Sequence, residues 1–246
     1  MKIEKHGIPL KDWSNLKINR GILTGCNEAF IIDGNKRKEI LANCSTEEER
    51  DRTDKLIRPI LRGRDIKRDG FEWAGLFLIC SHNGYYNSNK VWVKRIDMEN
   101  YPAIKEHLDK YKKQITERDD QGDTPYNLRS CAYMDDFDKQ KIVFPAIMTG
   151  GAYFALEKAK FIVTAPGNII TGENLNQIQE FIQKIGYFAL RKYYMGGGIE
   201  GELKVNRLEL LPIPKTVIGK TIEEQLLLSD EEKEYIRKYL KSLQKE

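Results

Sequence analysis

Apolar residues recur at spacings of three and four in several stretches of this chain, and each spacing predicts a helix. Tyr101, Ile104, Leu108, Tyr111 and Ile115 form one stripe, with Asn100 placed to cap it and Pro102 in the first turn. Leu175, Ile178, Ile182, Ile185 and Ala189, broadened by Phe181 and Phe188, predict a second long helix. It starts near Thr171-Gly172-Glu173 and ends at Gly196-Gly197-Gly198. Capping-box patterns open two more helices. Ser45-Thr46-Glu47-Glu48-Glu49 leads a helix that stops before Pro59, and Ser229 to Glu232 leads a tail helix with a narrow stripe of Tyr235, Ile236, Tyr239, Leu240 and Leu243.

Strand patterns lie between these helices. Ala29-Phe30-Ile31-Ile32 reads as a strand followed by an Asp33-Gly34 turn. Trp73 to Ile79 is too continuously apolar for an exposed strand, and Val91 to Ile96 alternates as a half-exposed one. Further strands are expected near Ile142–Ile147, Ala152–Leu156 and Phe161–Thr164, with a last pair around Leu203–Leu211. The absence of regular βαβ alternation predicts an α+β fold with mixed or antiparallel sheets, flanking helices and a C-terminal helix. Leu211-Pro212-Ile213-Pro214 closes a main domain over residues 1–215, leaving 216–246 as a linker and amphipathic helix.

The chain has 246 residues, 40% hydrophobic and 32% charged, with a net charge of +4 at pH 7. That balance fits a globular protein and allows nucleic-acid binding if the cations are grouped. No apolar run is long enough to cross a bilayer and no signal-peptide core is legible, so a cytoplasmic location without membrane contact is expected. Cys26, Cys44, Cys80 and Cys131 are far apart, as are His6, His82 and His107, so reduced thiols and no metal site are expected.

The usual catalytic patterns are missing. An adenine methyltransferase needs a glycine-rich loop after an early strand and a polar-Pro-Pro-aromatic loop for the flipped base; Thr124-Pro125-Tyr126 lacks the Pro-Pro pair. The glycines from Gly196 to Gly201 follow a helix, the reverse of the order that cradles phosphate. Asp135-Asp136-Phe137-Asp138-Lys139 is acidic, but it reads as a solvated turn rather than a nuclease site. No catalytic residue and no cofactor are therefore expected in this chain.

Several segments together resemble one family. Arg20-Gly21-Ile22-Leu23-Thr24-Gly25-Cys26-Asn27-Glu28-Ala29-Phe30-Ile31-Ile32, Ile57-Arg58-Pro59-Ile60-Leu61-Arg62-Gly63-Arg64-Asp65-Ile66, Asp123-Thr124-Pro125-Tyr126-Asn127-Leu128-Arg129-Ser130-Cys131 and Leu211-Pro212-Ile213-Pro214 occur in order. They look like the TaqI-like C-terminal specificity region of type IIG restriction–modification enzymes and adenine-specific DNA methyltransferases. Ile169 to Leu175 and Leu228 to Glu232 fit as well. The resemblance implies a target recognition domain that binds double-stranded DNA and positions it for a methyltransferase or endonuclease, in cis or in trans. S-adenosylmethionine and Mg²⁺ would then belong to those other domains. The stretch from Pro145 to Lys160 lies where the family varies, so no target sequence carries over.

The residues themselves offer four groups of DNA contacts. Arg62, Arg64, Lys67 and Arg68 can hold phosphates or guanine edges, or else form surface ion pairs. Arg20 and Thr24 flank glycines that would let backbone N–H groups approach a phosphate, and they also suit a simple strand-opening turn. Tyr126, Asn127 and Arg129 suit base edges, although Asn127 can equally hold a turn. Lys192, Lys204 and Arg207 complete the candidates. Trp73 and Trp92 are given to packing, with Tyr101 and Tyr111. The competing readings are a protein-interaction module docking on a DNA methyltransferase through the tail helix, and an unrecognised DNA-modifying enzyme.

Overall fold

The computed structural model describes residues 2–68, 70–195, 199–215 and 220–243. Its centre is a four-stranded antiparallel sheet in the order Ala155–Lys158, Gln140–Pro145, Gly167–Thr171 and Lys17–Arg20. A second sheet orders Ile162–Val163, Ile57–Leu61, Leu76–Ile79 and Ile31–Asp33, with one parallel pair at its edge. The fold is α+β, as the patterning predicts.

Alternation along the central strands explains the architecture. Val143 and Ile169 face one hydrophobic core, whereas Ile142, Phe144 and Ile170 face another, and all five are fully buried. An antiparallel sheet often leaves one face to water; this one is covered on both. The first core lies towards the second sheet and its helices, with Phe30, Ile60, Leu78 and Ile104. The second lies under the long helix and takes in Phe181, Ile182 and Leu190. Residues of the tail, Leu226 and Leu243, join this second core.

The helices follow local signals. Thr46 caps Glu47–Leu56, its hydroxyl accepting from the Glu49 N–H at 3.1 Å, and Glu49 reaches back to the Ser45 N–H at 2.9 Å. The tail helix, Asp230–Ser242, carries the expected Ser229–Glu232 capping box. The long helix runs as linked α and π turns from Leu175 to Tyr194; its expected end at Gly196–Gly198 lies outside the described residues. The Tyr101–Ile115 stripe is two helices, Pro102–Asp109 and Lys112–Glu117, broken at Tyr111.

Other expectations are corrected. Asn27–Phe30 is a helical turn before the short strand Ile31–Asp33, and Asp33 is the N-cap of Gly34–Ala42 rather than a turn residue. Leu203–Leu211 holds a short helix, Val205–Leu208, whose Leu208 faces the second core. Val91–Ile96 contributes only Trp92–Val93, paired with Tyr85–Tyr86 in an isolated hairpin. Gly167–Thr171, central to the main sheet, is a strand to which the apolar pattern assigns no element. No described helix is long and apolar enough to cross a membrane.

Candidate nucleic-acid interface

Strand register gathers the candidate cations. Arg20 pairs with Asn168, Pro145 with Gly167, and Leu61 with Val163. The C-terminal ends of four strands therefore meet the start of a fifth at one edge of the molecule. The Thr164–Gly167 loop knits that edge together. The Thr164 N–H donates to the Leu61 carbonyl at 3.0 Å, the Ile22 N–H to Val163 at 2.8 Å, and the Ala146 N–H to Pro166 at 2.9 Å. Gly21 is required here, because a Cβ would lie 2.5 Å from the Thr164 carbonyl carbon.

Two grooves flank this loop. One, of about 380 Å³, is lined by Arg64, Lys67, Arg68, Ile147, Tyr153 and Pro166. The other, of about 360 Å³, is lined by Arg20, Gly21, Arg129, Ser130, Cys131 and Tyr133. Arg20 and Arg64 are exposed and make no ion pair among the described residues. Lys67 is exposed, donates to the Arg64 carbonyl at 3.1 Å, and lies 3.8 Å from Glu72. Arg129 is 62% exposed and pairs with Asp120 at 2.9 Å. Burial pushes the Tyr133 hydroxyl up to about 12 and the Cys131 thiol up to about 11, so both stay protonated at the groove floor.

The other sequence candidates divide differently. Arg62 is engaged internally: its Nε and Nη2 donate to the Asp65 carboxylate at 3.0 and 2.7 Å, fastening the turn that presents Arg64. Arg68 reaches across to the Gly150 carbonyl at 3.0 Å. Thr24 and Asn127 are 3% and 1% exposed, so as placed they support loops rather than face solvent. The Asn127 amide donates to the Ile96 carbonyl at 2.9 Å and its oxygen accepts from the Thr124 hydroxyl at 2.6 Å. The Tyr126 hydroxyl donates to Asp109 at 2.5 Å and accepts from Lys112 at 2.7 Å. Lys204 adjoins the edge, since the Leu203 N–H donates to Ala146 at 2.8 Å. Lys192 stands elsewhere, over the Tyr239 ring at 4.5 Å, and Arg207 is exposed.

Sequence reasoning passed over the residue that joins these loops. Arg118 is 6% exposed. Its guanidinium donates to the carbonyls of Thr24, Pro125 and Asn127 and lies 4.3 Å from the centre of the Phe30 ring. The Gly21–Asn27 and Asp123–Arg129 segments are thus held by one cation. The signal was faint: an arginine ending a helix among acidic neighbours looks like surface charge. Trp92 was also misjudged, being 51% exposed on its hairpin. Among the described residues, no group of three His, Cys, Asp or Glu side chains could hold a metal ion.

No family model matches the chain, and no curated protein matches it in sequence. Among solved structures, the type IIL restriction-modification enzyme MmeI, determined in complex with DNA, is similar with a TM-score of 0.53 at 9% identity. The match covers 84% of this chain and 24% of that one. The type IIG restriction endonuclease BpuSI gives a TM-score of 0.48 at 15% identity, over 95% of this chain and 26% of that one. The chain thus spans about a quarter of the length of the restriction–modification enzymes it matches. At 9% identity, what it has in common with that part of MmeI is the fold.

Proposed function

We propose that this chain is a double-stranded DNA-binding module, the TaqI-like target recognition domain of a type II restriction–modification system. The observation that carries the reading is the strand-end edge, where Arg20 and Arg64 stand exposed and, among the described residues, without ion pairs beside Lys67 and Arg129. A duplex presents closely spaced phosphates, and mobile cations grouped along a concave edge complement them. Arg20, Lys67 and Lys204 take phosphates. Arg64 and Arg129 have the planar fork that matches guanine's major-groove edge. Arg62, Thr24, Tyr126, Asn127 and Arg68 hold the loops that present them. The fold likeness to a part of MmeI, an enzyme determined with DNA, supports this reading.

In this reading the chain performs no chemistry. Methyl transfer or cleavage, with its S-adenosylmethionine and Mg²⁺, belongs to a methyltransferase or endonuclease in cis or in trans, as part of defence against phage. One feature favours a compatible docking role. An apolar groove of about 430 Å³, lined by Ile185, Phe188, Tyr193, Tyr235 and Ile236, lies between the long helix and the tail helix.

Binding to a randomised duplex library at two salt concentrations tests the proposal. Retention that weakens as salt rises, with enrichment of one short motif, is the expected result. No retention at low salt would overturn it.

A further inference from the structure

The hairpin of Tyr85–Tyr86 and Trp92–Val93 has no role in the edge described above, and its two faces differ sharply. Tyr85 and Val93 face inward, with Tyr85 packed edge-on against His82 at 5.1 Å. Tyr86 and Trp92, directly opposite each other, face out. They are 65% and 51% exposed, with ring centroids 5.0 Å apart, and Val91 beside them is 59% exposed. The hairpin is rigidly built. The Asn87 side chain accepts from the N–H groups of Asn89 and Val91 at 3.0 and 2.9 Å, closing the turn. The Trp92 ring lies across Gly84, whose φ is +83°; a Cβ there would be 2.7 Å from Trp92 Cζ2.

Charge says what fits this face. From Tyr86 to Arg95 the sequence holds Lys90, Lys94 and Arg95 and no carboxylate. Arg95 is paired with Asp123 at 3.1 Å, leaving Lys90 and Lys94 exposed without ion pairs among the described residues. The carboxylates beside the hairpin are engaged: Asp135 accepts from the Ser88 N–H of its turn at 2.6 Å, and Asp123 from Asn83 at its base at 3.0 Å. The same anchors set the hairpin beside the Arg20–Arg129 groove. Asn83 also donates to Ser130 of its wall at 3.0 Å, and Asp135 follows Tyr133 by two residues. An edge-to-face aromatic pair between exposed cations, next to a cationic groove, suits a polyanion with planar apolar bases.

We infer that Tyr86 and Trp92 form a wedge that contacts the bases of duplex DNA, flanked by Lys90 and Lys94 on the phosphates. This rests on the DNA reading proposed above. Aromatic side chains that meet bases contribute through their π-faces, and apolar wedges are inserted between base steps at kinks.

The test uses the full chain with Trp92 as its sole indole (Trp13→Phe, Trp73→Phe), mixed-sequence duplex oligonucleotides and low salt. Acrylamide quenching of Trp92 and filter retention of the DNA are measured on the same samples. The expected result is retention with Trp92 shielded from acrylamide. Replacing Tyr86→Ala and Trp92→Ala in the otherwise natural chain should weaken retention about fivefold or more, with the melting temperature followed to confirm folding. Tyr86→Phe and Trp92→Phe keep a ring at each position and should retain most of the binding; a loss as large as with alanine overturns the aromatic contact. Retention with Trp92 as accessible as before overturns the wedge and leaves the DNA reading standing. No retention overturns both.

Discussion

Two sets of charges in this molecule use the same residue types to opposite ends. Lys141 and Arg118 are buried, and the half-buried Arg62 is tied to Asp65. Lys141, fully buried on the central sheet, pairs with Glu157 on the neighbouring strand and donates to the Phe137 carbonyl at 2.8 Å and the Lys139 carbonyl at 3.2 Å. Burial pushes its ammonium below the ordinary lysine value despite that partner. At the strand-end edge, Arg20 and Arg64 are exposed and have no counter-ion among the described residues. The inner set specifies shape, because a cation removed from water must be given every partner it needs. The outer set keeps its hydration and remains available to an anion.

The widest break in that comparison comes from Lys141. Lys141→Met leaves Glu157 buried without a counter-charge and should cost about 3–5 kcal/mol of stability, read by urea unfolding. Replacing both partners by apolar residues should recover much of the loss; if the single and double changes cost the same, the pair is not the reason. Arg118→Met comes next. It strips a donor from three carbonyls and should lose about 3 kcal/mol, with Arg118→Lys recovering only part, because one ammonium cannot span all three.

Acid sharpens the contrast by a smaller amount. Burial holds both His82 and His107 below the ordinary histidine value, and His107 Nε2 lies 3.0 Å from the Ala29 carbonyl as its donor. A histidine whose folded value is depressed binds protons more readily in the unfolded chain. Stability is therefore complete above about pH 6.5 and falls as pH drops below it. Melting temperatures measured between about pH 7.5 and 5.5 should decline, and His107→Gln should flatten that slope. The smallest effect on stability is expected at the edge. Arg20→Gln should change unfolding by less than about 0.5 kcal/mol, yet lower the salt dependence of DNA binding by about one counter-ion. An unchanged slope would remove Arg20 from the phosphate contacts.

What could be read from the sequence follows how local each cause is. The hydroxyl cap at Thr46, the capping box at Ser229 and the proline in the first turn at Pro102 act within one helical turn and match the pattern in the sequence. Gly167–Thr171 was lost because Ile169-Ile170 is a short apolar pair before a glycine. Only the strands at residues 17–20 and 140–145, far off in the chain, make it central. Leu203–Leu211 alternates like a strand, but Leu208 and Leu211 are three apart and both belong to the second core. Among the candidate contacts, the grouping of Arg20 with Arg64 depends on strand register and could not be seen. The inward turn of Arg62 had a visible cause in Asp65, three residues on.

The central sheet also governs how the molecule melts. Its four strands come from residues 17–20, 140–145, 155–158 and 167–171, so no contiguous half of the chain completes it. Loosening either core strips one face from the same strands and undermines the other. Heat should therefore be absorbed in a single peak, with calorimetric and van't Hoff enthalpies in a ratio of about 1. An anion gripped at the strand ends then raises the melting point of the entire molecule, tail helix included, rather than of the edge that holds it.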